Sequence, residues 1–546
     1  MPDTNTKDGK IQGSGPAAAD GGLHVVLISL YHFGAFGARI LSDVLKKNGH
    51  TVSMVFFKRD KTNEMSLPTA KEYELLKNLI KDLAPALVGV STRSTFFPVA
   101  RDITAAIKTE TGAPVIWGGA HAIICPEECI RYADIVCAGE GEGPLSLLSD
   151  AILNKKDYTH IPGLWIRKSD GTVARNETCA VTEDLDGLPL PDFSDVSGSY
   201  VIEDDKCGNK EPLYNDSLTH YNFMTGRGCP FHCDFCSNSI FHSIFKGKGR
   251  RLRQRSVDSV ISELSNAKRA FRNLASVSSN DELFGLDPEW LREFIEKYKR
   301  EIGLAFHCDI HPSYVTEEKI AALSGMGLKT ISMGIQSGNE RLRLEVYGRN
   351  TPDAMIMNAA RLFRKYKIFP SYDLIFDNPL ETEADLRKTL DFMMRLPGPF
   401  RMCTYSLQHH PKTALTEKLL SMGMITKNDV DGVSLKGFDQ WHIRTDLKSN
   451  KKEIVFLQRL FLMLGSYISI SKKKPNRVIP LFPRWFIALI DKIPVFHNNL
   501  FLTDWVNYLP KATFAAGLAL QLDFAGFFSR LCRRLAKRNA GPAAGG

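Results

Sequence analysis

Tyr221-Asn-Phe-Met-Thr-Gly-Arg-Gly-Cys229-Pro-Phe-His-Cys233-Asp-Phe-Cys236-Ser-Asn238 decides how this chain is read. The run Tyr221–Thr225 predicts a strand. Three cysteines follow at once, spaced Cys-x-x-x-Cys-x-x-Cys, so that one loop can turn three thiolates toward one centre. Iron–sulfur cubanes are held by cysteine thiolates, usually four, and three ligands leave one iron open. The competing assignments are a zinc site and three ordinary buried thiols. A structural zinc site needs four ligands, and His232 or Asp234 would have to point the same way as the sulfurs. The spacing and the cysteine usage of the whole chain favour the 4Fe-4S cluster.

Downstream of this loop, short apolar runs alternate with helical patterns. Strands are predicted at Ala275–Ser279, Ala305–Cys308, Thr330–Met333, Ser371–Phe376 and Met402–Leu407. Helices lie between them, among them Pro288–Tyr298, Glu317–Gly325 and Glu383–Arg395. With Tyr221–Thr225 these make six βα units over 221–425, a partial rather than a closed eight-fold barrel.

Upstream, residues 23–155 repeat the alternation. Strands are predicted at His24–Leu30, Thr51–Phe57, Ala86–Ser91, Pro114–Gly118 and Asp134–Ala138, with helices at Ala35–Asn48, Glu72–Leu83 and Pro98–Glu110. This pattern is that of a doubly wound parallel sheet, which binds ligands at the carboxyl ends of its strands. Those ends carry small residues: Gly34 after the first strand, Ser91 after the third, Gly118 and Gly119 before His121 after the fourth, and Gly139-Glu140-Gly after the fifth. Each glycine alone reads as a turn residue. Together on one sheet edge they predict close approach of a large flat ligand. Residues 156–220, centred on Gly187-Leu-Pro-Leu-Pro-Asp192, read as a linker.

The 546 residues are 43% hydrophobic and 24% charged, which excludes a mostly disordered, collagen-like or polytopic membrane chain. Lys and Arg number 70 against 61 Asp and Glu, and a net +9 on this length does not argue for nucleic acid. The basic run Lys246–Arg255 reads as a phosphate contact or, more plainly, a solvated loop. Eleven cysteines in a long chain whose first 22 residues read as a polar, disordered leader predict a reducing cytoplasm rather than disulfides. Cys125 and Cys129 are the other close pair, read as buried or helix-facing thiols, and no auxiliary cluster is expected. Residues 426–546 are predicted helical, with aromatic and apolar faces beside Lys472–Lys474 and Arg530–Arg538. They suit either a cap on the barrel or peripheral contact with an anionic membrane at its inner face, and the second arrangement would carry a lipid substrate.

The cysteine loop, with Phe235 before the third cysteine, resembles the radical S-adenosylmethionine superfamily. Val277–Phe284, Gly334–Glu340 and Asp373–Glu381 are similar to its later strand-end motifs. Trp117-Gly-Gly-Ala-His121, Pro126-Glu-Glu, Gly139-Glu-Gly-Glu142 and the Leu-Pro-Leu-Pro-Asp segment resemble its cobalamin-binding subgroup, with a Rossmann-like first domain. That resemblance implies that Cys229, Cys233 and Cys236 hold the cluster, whose open iron chelates S-adenosylmethionine. One electron then yields a 5′-deoxyadenosyl radical. Asn280, Asp281 and Glu282 would meet the methionine ammonium, and Gln336 and Ser337 the ribose or carboxylate. Asp281 reads equally as a helix cap or turn residue.

In the subgroup a first-loop histidine within Asp-x-His-x-x-Gly ligates cobalt. Here the loop is Leu30-Tyr-His32-Phe-Gly-Ala35, so His32 reads as a ligand or as a plain loop histidine. The activity implied is methylation of an unactivated carbon in a small-molecule or lipid substrate, with an electron donor such as flavodoxin or ferredoxin and no nucleic acid. The alternatives are a cyclising or oxidative radical enzyme, a methylthiotransferase and a non-catalytic cobalamin sensor.

Overall fold

In the computed structural model, which describes residues 21–59, 66–193 and 198–430, the apolar run His24–Leu30 is strand β1, buried from Val25 onward. It is followed by β2 (Thr51–Phe57), β3 (Leu87–Ser91), β4 (Val115–Gly118) and β5 (Ile135–Cys137). The helices between and after them are α1 (Phe36–Lys47), α2 (Ala70–Leu83), α3 (Phe97–Lys108), α4 (Ala120–Ile124), α5 (Pro126–Cys129) and α6 (Glu142–Leu153). Neighbouring strands among β1–β5 run parallel. Side chains alternate across a strand, so the sheet has two cores. Val26, Ile28 and Leu30 pack with Leu79 and Ile80 of α2 and Ile103 and Ile107 of α3. Val25 and Leu27 pack with Leu45 of α1 and Leu145 and Leu148 of α6. α2 begins at a capping box in which Thr69 accepts the Glu72 N–H and the Glu72 carboxylate accepts the Thr69 N–H. The same carboxylate takes the buried Lys58 Nζ at 2.8 Å.

The expected linker over 156–220 is corrected in part. It contains β6 (Leu164–Arg167), β7 (Val173–Arg175), β8 (Ser199–Glu203) and β9 (Lys206–Asn209). These extend the sheet to nine strands in the order β7-β6-β5-β4-β3-β1-β2-β8-β9. β6, β7 and β9 are antiparallel to their neighbours and β8 is parallel to β2. The edge strands β7 and β9, three and four residues long with exposed positions, leave no apolar run long enough to read.

The second sheet begins with β10 (His220–Phe223). A small antiparallel hairpin of β11 (Gly226–Arg227) and β12 (Arg253–Gln254) flanks the cysteine loop. β13 (Ser276–Ser279), β14 (Ala305–Ile310), β15 (Leu328–Gln336), β16 (Phe369–Phe376) and β17 (Arg401–Ser406) follow, giving the order β10-β13-β14-β15-β16-β17. Its helices are α7 (Ser237–Ile244), α8 (Val257–Ala270), α9 (Pro288–Glu301), α10 (Glu317–Met326), α11 (Asp353–Lys365), α12 (Glu383–Arg395) and α13 (Ala414–Ser421). Six strands in chain order match the expected six βα units. The described residues form two compact units, 21–331 with 344–350 and 408–430, and 332–343 with 351–407. No helix among them is long and apolar enough to cross a membrane. The leader and nearly all of the expected helical, membrane-associated C-terminal region lie outside the described residues.

Candidate cofactor site

In the first unit, the parallel register sets Ser29 of β1 beside Ser91 of β3, and Ser91 beside Gly118 of β4. Three small residues therefore form a row at the carboxyl ends of three adjacent strands. Ser29 belongs to the row but was missed, because a serine inside an apolar run carries no signal of its own. Gly118 has no non-neighbouring atom closer than 4.0 Å to a built Cβ, so its lack of a side chain leaves space rather than filling a contact. Gly119 differs: its φ is +92°, and a Cβ there would lie 2.7 Å from the Thr92 carbonyl oxygen, so chain packing accounts for it. Gly139 sits 3.3 Å from Thr178 and 3.4 Å from the Cys179 sulfur by the same measure.

His32 is placed in the first loop, and the geometry gives it a local task. Its Nδ1 accepts the Ala35 N–H at 2.7 Å, just ahead of α1. A neutral ring with Nδ1 accepting carries its proton on Nε2 and has no lone pair there for cobalt. A Cβ on Gly34 would lie 2.9 Å from the ring, so Gly34 makes room for the imidazole. His32 therefore holds the start of α1 in this structure. Glu140 is also committed to protein partners: Arg253 at 2.8 Å, Arg227 at 3.4 Å and the Thr182 N–H at 2.7 Å. Burial pushes its carboxyl up, but the Arg253 hydrogen bond and the Arg227 charge outweigh that and hold it below its ordinary value. This cluster ties the loop after β5 to the β11–β12 hairpin.

The three cysteines lie between that hairpin and α7. Cys233 is buried, while Cys229 and Cys236 are half-buried. Burial pushes the Cys229 thiol up and the Cys236 thiol up to about 12, and each feels the charge of neighbouring triad thiols. Three clustered thiols on one loop are a donor set that fits a cubane, which deprotonates them on binding. Arg251 clamps the loop by donating to the Cys229 carbonyl at 2.9 Å and to the Pro230 carbonyl. Arg349 donates to the Cys233 sulfur at 3.7 Å. The Asp234 N–H bonds the Tyr347 carbonyl at 3.0 Å, and Phe235 meets the Tyr347 ring edge-on at 5.3 Å. Phe231 stacks on His311 at 3.9 Å.

Arg251, Arg349, Phe231 and His311 were missed as site residues. Arg251 lay in the basic run read as a solvated loop or phosphate contact. Its neighbours Arg253 and Arg255 are instead spent on Glu140 and Glu263. The other three carry no local sequence signal.

At the end of β13 the three polar residues separate. Asp281 is buried and accepts the Thr225 N–H at 2.8 Å, Thr225 Oγ1 at 2.7 Å and the Gly226 N–H at 2.9 Å. It braces the strand that leads into the cysteine loop. Asn280 and Glu282 are accessible. Glu282 hydrogen-bonds Asn238, and its charge reaches Cys229 and Cys236.

In the second unit, Gln336 ends β15 with φ +68°, a strained left-handed backbone for a non-glycine. Ser337 is buried, with Thr389 Oγ1 and the Asn339 N–H each 3.1 Å from its oxygen, and so is structural as well. Burial, with the charges of Asp385 and Asp377, pushes the Glu381 carboxyl well above its ordinary value.

The model of the Radical SAM superfamily matches residues 223–393, and that of the B12 binding domain matches residues 24–149. An uncharacterized methyltransferase of Pyrococcus horikoshii is 25% identical over 355 residues, 64% of this chain and 72% of that protein. Cytidylyl-2-hydroxyethylphosphonate methyltransferase of Streptomyces wedmorensis is 23% identical over 296 residues, 49% of this chain and 53% of that protein. The cobalamin-dependent S-adenosylmethionine radical enzyme OxsB, solved with aqua-cobalamin, has a TM-score of 0.60 at 16% identity, covering 89% of this chain and 75% of its own. The methyltransferase TsrM from Kitasatospora setae, solved with cobalamin and a [4Fe-4S] cluster, has a TM-score of 0.55 at 19% identity, covering 73% and 75%. Those structures share the fold seen here. With a B12-binding domain ahead of a radical SAM domain that keeps its three-cysteine loop, the chain belongs to the cobalamin-binding radical S-adenosylmethionine enzymes.

Proposed function

We propose that this chain is a cobalamin-dependent radical methyltransferase that methylates an unactivated carbon of a small molecule. The observation that carries the reading is the joint presence, in one compact unit, of the three-thiol loop and a parallel-sheet edge where the small residues Ser29, Ser91 and Gly118 stand in register. When bound, the cluster supplies the electron that splits S-adenosylmethionine, and cobalamin supplies the centre through which a methyl group passes. The protein's own part is positional. Cys229, Cys233 and Cys236 hold the cluster, Arg251 fixes the loop carbonyls, and Arg349 offers an N–H to one sulfur. The Phe231–His311 stack shields the loop. Asn280 and Glu282 are the accessible polar groups for the methionine end of S-adenosylmethionine. Two relatives and the solved enzyme TsrM bear the name methyltransferase, which supports methyl transfer.

The test is anaerobic reconstitution with iron, sulfide and hydroxocobalamin, followed by turnover with deuteromethyl S-adenosylmethionine, a flavodoxin or ferredoxin reductant and pools of small molecules. Formation of both 5′-deoxyadenosine and S-adenosylhomocysteine supports the proposal. 5′-Deoxyadenosine alone rejects methyl transfer in favour of a cyclising or oxidative reaction. The basic and aromatic composition of 472–538 supports a cytoplasmic protein that touches an anionic bilayer and takes a lipid substrate. Flotation with anionic liposomes tests that extension, and protein remaining at the bottom rejects it.

A further inference from the structure

On α4 and α5, His121, Cys125 and Glu128 stand at i, i+4 and i+7, the spacing of one helical face. The face is kept although the helix breaks at Cys125. One ligand atom from each, the imidazole nitrogen, the sulfur and a carboxylate oxygen, lies within 4.8 Å of the other two. His121 is fully buried, and its Nε2 has no hydrogen-bond partner. Its Nδ1 lies 3.0 Å from Ser94 Oγ, and the ring packs edge-on against Phe97 at 4.9 Å. With Nδ1–H donated to Ser94, the Nε2 lone pair faces the Glu128 carboxylate at 3.5 Å. In that tautomer two acceptors face one another, and a cation between them would satisfy both.

We propose that His121 Nε2, Cys125 Sγ and a Glu128 carboxylate oxygen bind a zinc ion, with water in the fourth position. Nitrogen, thiolate and carboxylate are zinc's usual ligands, and three protein ligands with one open place is a recognised zinc arrangement. At zinc–ligand distances of about 2.0–2.3 Å, tetrahedral donors sit roughly 3.3–3.8 Å apart, so the cluster needs to contract by about 1 Å. Ser94 supplies the outer partner that orients a ligating imidazole. The charges balance: a thiolate and a carboxylate neutralise the dication, while neighbouring Lys412 is taken by Glu127 at 2.7 Å and by the Ile124 carbonyl at 2.5 Å. Glu128 is 32% exposed and opens a path to the fully buried imidazole. Cys125 packs with Ile240 of α7, the helix that starts beside Cys236, so the ion would set the elbow on which that helix rests.

The experiment uses the full chain with its cluster already installed, so that the triad sulfurs are occupied. Zinc chloride is added, excess is removed by desalting, and zinc and iron are counted. We expect about one zinc beside about four irons per chain. Cys125→Ser and Glu128→Gln should each lose the zinc and keep the iron. Glu128 is half-exposed, so its variant tests the site without opening the core. Cobalt(II) in place of zinc should give a thiolate-to-metal absorption band that Cys125→Ser abolishes. No zinc retained beside a full iron count, or zinc undiminished in both variants, overturns the site in favour of a plain His121–Glu128 contact. None of these readouts depends on methyl transfer, so the proposed activity and this site fail separately.

Discussion

His32 is where residue chemistry and family pattern part. Its Nδ1 is spent on the Ala35 N–H, so cobalamin bound at this edge takes no nitrogen from it. We expect the electron paramagnetic resonance spectrum of the bound cob(II)alamin to be the same in wild type and His32→Ala. The variant should lose about 1 kcal/mol of stability, the worth of a helix-start hydrogen bond. A nitrogen splitting that disappears on substitution would reinstate His32 as a ligand. A similar division separates Asp281 from its neighbours. Its carboxylate already meets Thr225 and Gly226, whereas Asn280 and Glu282 remain accessible. Three consecutive polar residues look alike in a sequence, and only strand alternation divides support from contact.

Elements are joined by charges that the chain places far apart. Lys58, just past β2, and Glu72, in the first turn of α2, pair in the core with side-chain exposures of 5% and 0%. Removing one partner strands the other, so Glu72→Gln should cost about 3–5 kcal/mol. The expected readout is lost hydrogen-exchange protection over Ala70–Leu83, and unchanged protection would contradict a stabilising pair. The Glu140–Arg227–Arg253 cluster gives a pH signature. Its carboxyl titrates below the ordinary 4.5 in the folded protein, so its stabilisation is complete above that pH and is lost as acid carries the solution through the folded value. Thermal melts between neutral and acid pH should show a shallower acid loss in Glu140→Gln, and parallel curves would count against the cluster's role.

For the whole molecule, the two cofactors rest on different elements. In the function proposed above, the cluster is held by the loop between β11 and α7, and cobalamin by the ends of β1, β3 and β4. Cys233→Ala should therefore lose iron and 5′-deoxyadenosine formation while keeping about one bound cobalt per chain. Loss of both metals together would mean that the sheet edge needs the cluster loop to hold cobalamin.

What the sequence by itself determined was whatever local periodicity and spacing encode. The five central parallel strands of the first sheet, the six of the second and the cysteine loop were legible because buried strands need unbroken apolar runs and a cluster needs thiols within one loop. The edge strands β7 and β9 were not legible, since three or four largely exposed residues leave no such run. The tertiary structure alone decided how polar side chains are used. It turned Glu140, Arg253 and Arg255 inward as struts, set Arg251 on the loop carbonyls, buried Ser337, brought Arg349 to Cys233 and left the His121 nitrogen facing Cys125 and Glu128. A charged or hydrogen-bonding group does whatever its three-dimensional neighbours allow, and those neighbours come from segments tens to hundreds of residues away.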